Sequence, residues 1–310
     1  MTFDTTLAIA GPLRTPKQML ADQEYGGHSS IHDDDMAEKL GFQAGPIEGP
    51  THFSQFAPLL LDLFGPSFFE SGCVSAHYLN MVVEGEQVRA FARKPASENE
   101  SATLWAEKAD GTPVLEASAS IGPAYGKTLL EARLEKLRPP EQLVILQDLH
   151  VGMTGAKDEH VRMDPDQNMG ALYPFSLAQK LAAITEISPW YSDGQSNPWG
   201  RPIIPLEMIS VLAEYSSNEA GFPVKGPAVG LFADQEIRLI NGPLFVGEDY
   251  IIRREIAALS QSRRTESYWV RSRIFDRTGQ TQVAEMLLNH ATLKQSYDGY
   301  DDELAALTGD

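Results

Sequence analysis

The sequence predicts an α+β protein built from two related units, each a buried helix followed by antiparallel strands. Three observations predict this. Thr51–Phe64, THFSQFAPLLLDLF, is apolar nearly all round, which marks a helix enclosed by other elements. From Gly72 the pattern changes to alternation, and CVSAHYLNMVV, QVRAFARK, SATLWAEKA and PVLEASASI read as strands. The second half then repeats the first. Trp199-Gly200-Arg201-Pro202-Ile203 matches Gly45-Pro46-Ile47, residues 206–219 match the first buried helix, and Phe245-Val246-Gly247-Glu248 matches Val83-Glu84-Gly85-Glu86. Self-similarity over about half the chain indicates a duplicated unit rather than a solenoid.

Taken in order, residues 15–23 read as a short helix with Pro16 in the first turn, where a missing N–H costs nothing. A loop over 25–32 leads to a short helix over 34–40. Asp33 or Asp34 can cap that helix and Gly41 can end it. Gly45-Pro46 and Gly49-Pro50 are breakers, and the buried helix begins near Thr51. Pro58 within it predicts a bend or a split. Asp110-Gly111 marks a hairpin turn among the strands. Residues 125–137 are charged and helical, and Pro139-Pro140 ends them. A strand pair is expected within 141–163 and an amphipathic helix over 175–184. IIRREIAALSQS, SYWVRSRIFDRTGQ and TQVAEMLLNHATL complete the second set of strands. The expected organisation is a first unit over 1–124, a linker helix over 125–140, a second unit over 141–297 and a mobile acidic tail over 298–310.

Composition bounds the function. A 310-residue chain with 42% hydrophobic and 22% charged residues is that of a soluble globular protein. A net charge of -18 argues against nucleic acid, which needs basic surface to displace counterions, and gives no help with an anionic membrane. No segment reaches the roughly 18 apolar residues of a membrane span. The N-terminus lacks the charged and apolar regions of a signal peptide, so a cytoplasmic location is expected. The lone Cys73 excludes an internal disulfide and reads as a small buried residue rather than a nucleophile.

The segment 25–54, YGGHSSIHDDDMAEKLGFQAGPIEGPTHFS, concentrates the chemistry, with three of the seven histidines. It resembles the MaoC-like (R)-specific enoyl-CoA hydratases and dehydratases. Their signature is a Gly-Asp-x-Asn-Pro-(aliphatic)-His loop, a short helix, a Gly-Phe turn and a Pro-Ile-x-x-Gly entry to the central helix. Here Gly26, Ile31 and His32 match the loop, followed by Gly41-Phe42, Pro46-Ile47 and Gly49. The family's Asp falls on Gly27, its Asn on Ser29 and its Pro on Ser30. In the second unit Glu186 falls on the Asp position, Pro189 matches, and Tyr191 falls on the His. Neither unit carries the whole Asp-His dyad.

The resemblance implies a double hot dog fold, with two antiparallel sheets each wrapped round a central helix. It implies a hydro-lyase acting on a conjugated C=C bond of an acyl substrate, a CoA thioester, by general acid–base catalysis. Donors at the central helix start would hold the developing enolate, as in an oxyanion hole. Within this reading His32 is the catalytic candidate, against a histidine bonding locally in its loop. His28 and Asp35 are candidate neighbours, Asp35 in place of the missing Asp, against a solvated, helix-capping aspartate run. His52 is a candidate donor at the helix start. Gly49, Thr51, His77, Glu186, Tyr191 and Arg201 are candidate substrate-binding residues. For His77 the competing reading is a satisfied core histidine, for Tyr191 a space-filler, and for Arg201 a partner of Glu207. His28 and His32 stand four apart, but the glycines and serines between them argue for a loop rather than a metal-binding helix face. No metal and no cofactor is expected. The two units imitate the homodimer that the resemblance implies for single hot dogs, and a further homodimer of the whole chain is expected. A lyase or isomerase on a non-CoA substrate, a thioesterase, and a non-catalytic partner subunit stay open, since one fold hosts many activities.

Overall fold

The computed structural model describes residues 8–25, 28–95, 100–123 and 125–309. In chain order the elements are β1 (Ala8–Ala10), β2 (Glu24–Tyr25), β3 (His28–Ser29), α1 (Asp34–Lys39), α2 (Thr51–Phe64) and α3 (Phe68–Ser71). Then come β4 (Gly72–Tyr78), β5 (Val88–Arg93), β6 (Ala102–Lys108) and β7 (Pro113–Ile121). The second half contains α4 (Leu129–Leu134), β8 (Glu159–Arg162), α5 (Leu177–Ala183), α6 (Leu206–Glu214), β9 (Gly230–Leu239), β10 (Asp249–Gln261), β11 (Thr265–Asp276), β12 (Gln282–Leu293) and α7 (Tyr300–Thr308).

Ten strands make one antiparallel sheet in the order β1-β5-β6-β7-β4-β9-β12-β11-β10-β8. The order is a palindrome of the two halves: β4 answers β9, β7 answers β12, β6 answers β11 and β5 answers β10. The halves meet where β4 pairs with β9, in the register Val74↔Ile237 and Ala76↔Gln235. Continuous pairing leaves no open strand edge at the seam. α2 packs on β5 and against α6, so both central helices share one core. Phe53, Phe56 and Leu60 of α2 and Met208, Val211 and Leu212 of α6 are buried in it.

Local chemistry explains the element ends. Asp33 accepts from the Met36 N–H at 2.8 Å and caps α1, and Gly41 follows it with φ +80. α4 carries a full capping box between Thr128 and Glu131, and α5 one between Ser176 and Gln179. Pro58 removes one backbone bond from α2, yet the helix runs unbroken from Thr51 to Phe64. Burial of the residues on both sides of Pro58 holds the helix together through the lost bond.

Four sequence expectations are corrected. Residues 15–23 form no helix. Their polar side chains are used in long-range contacts instead: Gln18 Nε2 donates to the Pro46 carbonyl, and Gln23 Nε2 donates to the Leu172 carbonyl at 2.6 Å. Of the expected linker helix only Leu129–Leu134 is helical, between its capping box and the Pro139-Pro140 stop. The expected boundary residue Ala124 lies outside the described residues. Within 141–163 only β8 forms, and two N–H groups of the preceding 143–149 stretch go to a buried side chain. The Glu266 carboxylate accepts from the Val144 N–H at 2.8 Å and the Leu146 N–H at 3.0 Å. The acidic tail is not loose. α7 docks through Tyr300, whose hydroxyl donates to the same Glu266 at 2.8 Å.

Glu266 therefore ties two segments to the back of β11. Replacing it by Ala leaves two buried N–H groups and one hydroxyl unpaired. We expect Glu266→Ala to lower the unfolding free energy by about 3 kcal/mol, and Tyr300→Phe by about 1 kcal/mol. Denaturant titration of the two variants beside the wild type measures both values.

Candidate active site

A cavity of about 770 Å³ opens between the α2 start, the β4 end and the strands β9–β12. That volume suits a ligand of drug size or larger. Its first-unit wall comes from the 25–54 segment: Tyr25, His28, Ile31, His32, Pro46, Glu48, Gly49 and His52 all face it. Its second-unit wall comes from the α6 C-terminus and the strand interiors, through Glu214, Arg254, Tyr268 and His290. The rim carries the exposed Asn80 and Asn218.

His32 is held by its own motif. Its Nδ1 lies 2.7 Å from the Pro46 carbonyl, which can only accept, so Nδ1 carries the proton and Nε2 carries the lone pair. Nε2 has no protein partner among the described residues. Burial lowers the His32 pKa, while the Pro46 carbonyl and Glu48 oppose that and Lys180 adds to it. The imidazole is thus a neutral base in the cavity wall. The tether is close because Gly45 lets the two chain segments touch. A Cβ there would lie 2.1 Å from the His32 carbonyl oxygen.

The α2 start supplies donors. Gly49 precedes the helix, and its N–H has no acceptor among the described residues. The Tyr78 ring covers it, at 3.1 Å from where a Cβ would stand, so a side chain there would push the ring. Tyr78 in turn donates to Gln235 at 2.9 Å. One turn on, His52 is buried with Nδ1 3.3 Å from Gln55 Oε1, and burial lowers its pKa to about 4.

Behind this wall three buried charges join the two units. Lys180 of α5 donates to Glu48 at 2.8 Å and to the Thr51 hydroxyl at 3.2 Å, and pairs with Glu207 at 3.3 Å. Two carboxylates share one ammonium. Burial raises the Glu207 pKa, and both carboxylates raise that of Lys180. The Lys180 ammonium is thus held between two buried carboxylates, and burial pushes the Glu207 carboxyl toward its protonated form. Glu48 is 2% exposed and keeps Oε1 without a hydrogen bond. One of its oxygens is spent on Lys180 and the other is not.

The predicted residues divide cleanly. His32, His28, His52 and Gly49 meet at the cavity, with the His28 Nδ1 2.9 Å from the Ser29 carbonyl. Gly26 and Gly27, which carry the loop comparison, lie outside the described residues. Asp35 is exposed in the first turn of α1 and does not reach the cavity. Thr51 faces Lys180. His77 is turned away by strand alternation: Tyr78 takes the cavity side, and His77 bonds Asp234 at 2.8 Å on the opposite face. Glu186 is held by Arg14 through two bonds of 2.7 Å, and Tyr191 is buried in the core. Arg201 pairs with Glu248, not Glu207, and lies over the Phe245 ring.

Sequence reasoning missed Glu48, Lys180 and the second-unit wall. Glu48 had a signal, as the lone charge in the otherwise apolar Pro46-Ile47-Glu48-Gly49 entry. His290 and Tyr268 had none. They become neighbours only through the β11–β12 register, which sets them opposite each other with rings stacked at 4.8 Å.

No family model matches the chain, and no curated protein does. Among solved structures, one described as a MaoC domain protein dehydratase from Chloroflexus aurantiacus superposes with a TM-score of 0.59 at 13% identity, covering 94% of this chain and 95% of that one. A conserved hypothetical protein of Mycobacterium tuberculosis, described as having a double hotdog fold, superposes with a TM-score of 0.56 at 11% identity, covering 94% and 97%. The fold is a double hot dog. In double hot dog terms α2 and α6 are the two central helices, and the ten-stranded sheet is two half-sheets joined at β4–β9. No helix among the described residues is long and apolar enough to cross a membrane.

Two tests follow from the buried groups. Lys180→Ala leaves the Glu48 charge uncompensated, and we expect a loss of about 3–5 kcal/mol in stability, read by scanning calorimetry. His52 has a folded pKa of about 4 against 6.5 unfolded, so the unfolded chain binds the extra proton. The stability tied to His52 is complete above pH 6.5 and is lost as pH falls toward 4. His52→Gln should therefore flatten the fall of unfolding free energy across that window by about 1 kcal/mol per pH unit. Denaturant titrations at pH 6 and pH 5 give the slope.

Proposed function

We propose that this double hot dog protein is a hydro-lyase that adds water to, or removes it from, a conjugated C=C bond of an acyl thioester. One observation carries the reading. A tethered neutral imidazole presents an unpartnered Nε2 to a cavity beside the start of a central helix. The unengaged Gly49 N–H and the unengaged Glu48 Oε1 support it. So does the fold neighbour described as a dehydratase, as analogy only.

In hydration, His32 Nε2 takes a proton from water while the water oxygen bonds to C3 of the enoyl group. The C2=C3 electron pair moves toward the thioester oxygen, which accepts from the Gly49 N–H as charge develops. The proton then passes from His32 to C2. Glu48 accepts the other hydrogen of the water and orients it. It fills the role that the loop leaves vacant at Gly27, reaching the water from the helix entry instead. Dehydration is the same path reversed.

The finer assignments belong to this proposal: a CoA thioester as substrate, a first unit over 1–124 that holds the catalytic groups, a second unit over 141–297 that shapes the cavity, and a homodimer of whole chains in a cytoplasmic setting.

Loss of the conjugated enoyl absorbance on crotonyl-CoA and on a longer enoyl-CoA tests it. We expect wild type to hydrate at least one of them. His32→Ala should lower kcat/KM by about 10²-fold or more, in keeping with loss of a general base. Glu48→Gln should lower kcat by about 10-fold or more, as expected of a group that only orients the attacking water. A folded wild type inactive on both substrates, or an unaffected His32→Ala, overturns the reading.

A further inference from the structure

The cavity end where Tyr173, Tyr268 and His290 meet Tyr25 of the first-unit wall is not built for a hydrocarbon. Burial of an alkyl chain there would leave polar groups unpaired, at a cost for each. Tyr173 is 2% exposed, Tyr25 and Tyr268 are half-buried, and all three face the cavity. None of the three hydroxyls has a hydrogen-bond partner among the described residues. His290 stands beside them. Its ring is stacked on Tyr268 and lies edge-on to Phe232 at 5.4 Å, which fixes its plane. Its Nε2 lies 3.6 Å from Glu214, too far for a hydrogen bond, and its Nδ1 has no partner among the described residues.

The cation behind this wall is already paired. Arg254 is clamped by Glu159 at 2.8 and 3.0 Å, by Glu214 at 2.7 Å and by Ser272 at 2.8 Å. Its donors are spent, so it offers no free cation to an anionic ligand. Burial and Arg254 hold His290 neutral, with a pKa lowered to about 3. Ser217, Asn218, Lys225 and Thr292 also line the cavity, and its aromatic groups free to meet a ligand are three phenols and a neutral imidazole. Each can donate one hydrogen bond and accept another. Uncharged oxygens, as in hydroxyl or carbonyl groups, are the complement.

On the reading that the enoyl end lies at His32, we infer that the substrate's far end carries neutral hydroxyl or carbonyl oxygens, received by Tyr25, Tyr173, Tyr268 and His290, in place of a plain alkyl chain. The walls around them are apolar, with Leu172, Phe222 and Val270, so the tail is a carbon skeleton bearing a few oxygens rather than a sugar or a peptide.

The test separates this site from the chemistry at His32. Binding is measured by calorimetry with pairs of saturated acyl ligands of equal length, one plain and one bearing a terminal hydroxyl or keto group. Each pair is made as the CoA thioester and as the free acid. Saturated ligands cannot be hydrated, so the readout needs no turnover. We expect the oxygenated member to bind at least tenfold tighter, and the ratio to fall toward one in Tyr268→Phe and in His290→Phe. Tyr268→Phe removes only a hydroxyl, so it keeps the test valid if His290→Phe fails to fold. His32→Ala should lose turnover and retain the binding ratio. A plain chain that binds as well as its oxygenated partner, a ratio unmoved in Tyr268→Phe, or no binding by any member overturns the inference. A preserved ratio without hydration by wild type would sink the hydro-lyase reading and leave this subsite standing.

Discussion

The Lys180 ammonium, sealed between Glu48 and Glu207, is the interaction on which the rest of the structure depends. Each carboxylate stands at the entry of a central helix, Glu48 before α2 and Glu207 in the first turn of α6. A single cation therefore fixes the two helix starts relative to one another. Taking three ionisable groups out of water is costly, and the close Lys180 contacts to both carboxylates offset part of that cost. The same clamp leaves one oxygen of Glu48, a residue of the cavity lining, buried without a hydrogen bond. Structural need and chemical opportunity are joined in one side chain.

The cavity inherits its asymmetry from the duplication. The sheet order is palindromic, yet the two walls have diverged. The first unit contributes a loop and a helix start, with a tethered imidazole and an unengaged backbone N–H. The second contributes strand interiors, with aromatic hydroxyls backed by a paired Arg254. The corresponding loop of the second unit has been turned to structural use, since Glu186 answers Arg14 and Tyr191 fills the core. The cavity then has reacting groups expected at one end and recognition at the other.

Much of the fold was legible in the residues because it follows from local patterns. The apolar run over Thr51–Phe64, the alternation from Gly72, the Asp33 cap and the Asp110-Gly111 turn are each set by neighbours close in sequence. The misread segments share one cause. Residues 15–23 and 143–149 give their polar groups to distant partners, Pro46, Leu172 and Glu266, and no local signal announces such a partner. His77 was misplaced for a different reason. Alternation shows which residues share a face, but not which face looks into the cavity.

By itself the sequence determined the class of fold, the duplication and the presence of His32 in a glycine-rich loop before a central helix. Periodicity and turn chemistry are short-range, and they survive in the bare order of residues. Only the tertiary structure decided which groups meet His32. Glu48 becomes a cavity group because Lys180 comes from 132 residues further along the chain. His290 and Tyr268 become a wall because two strands pair in one register. Closing such contacts depends on the packing of the whole core, and side-chain direction across a sheet is settled by that packing rather than by the residues themselves.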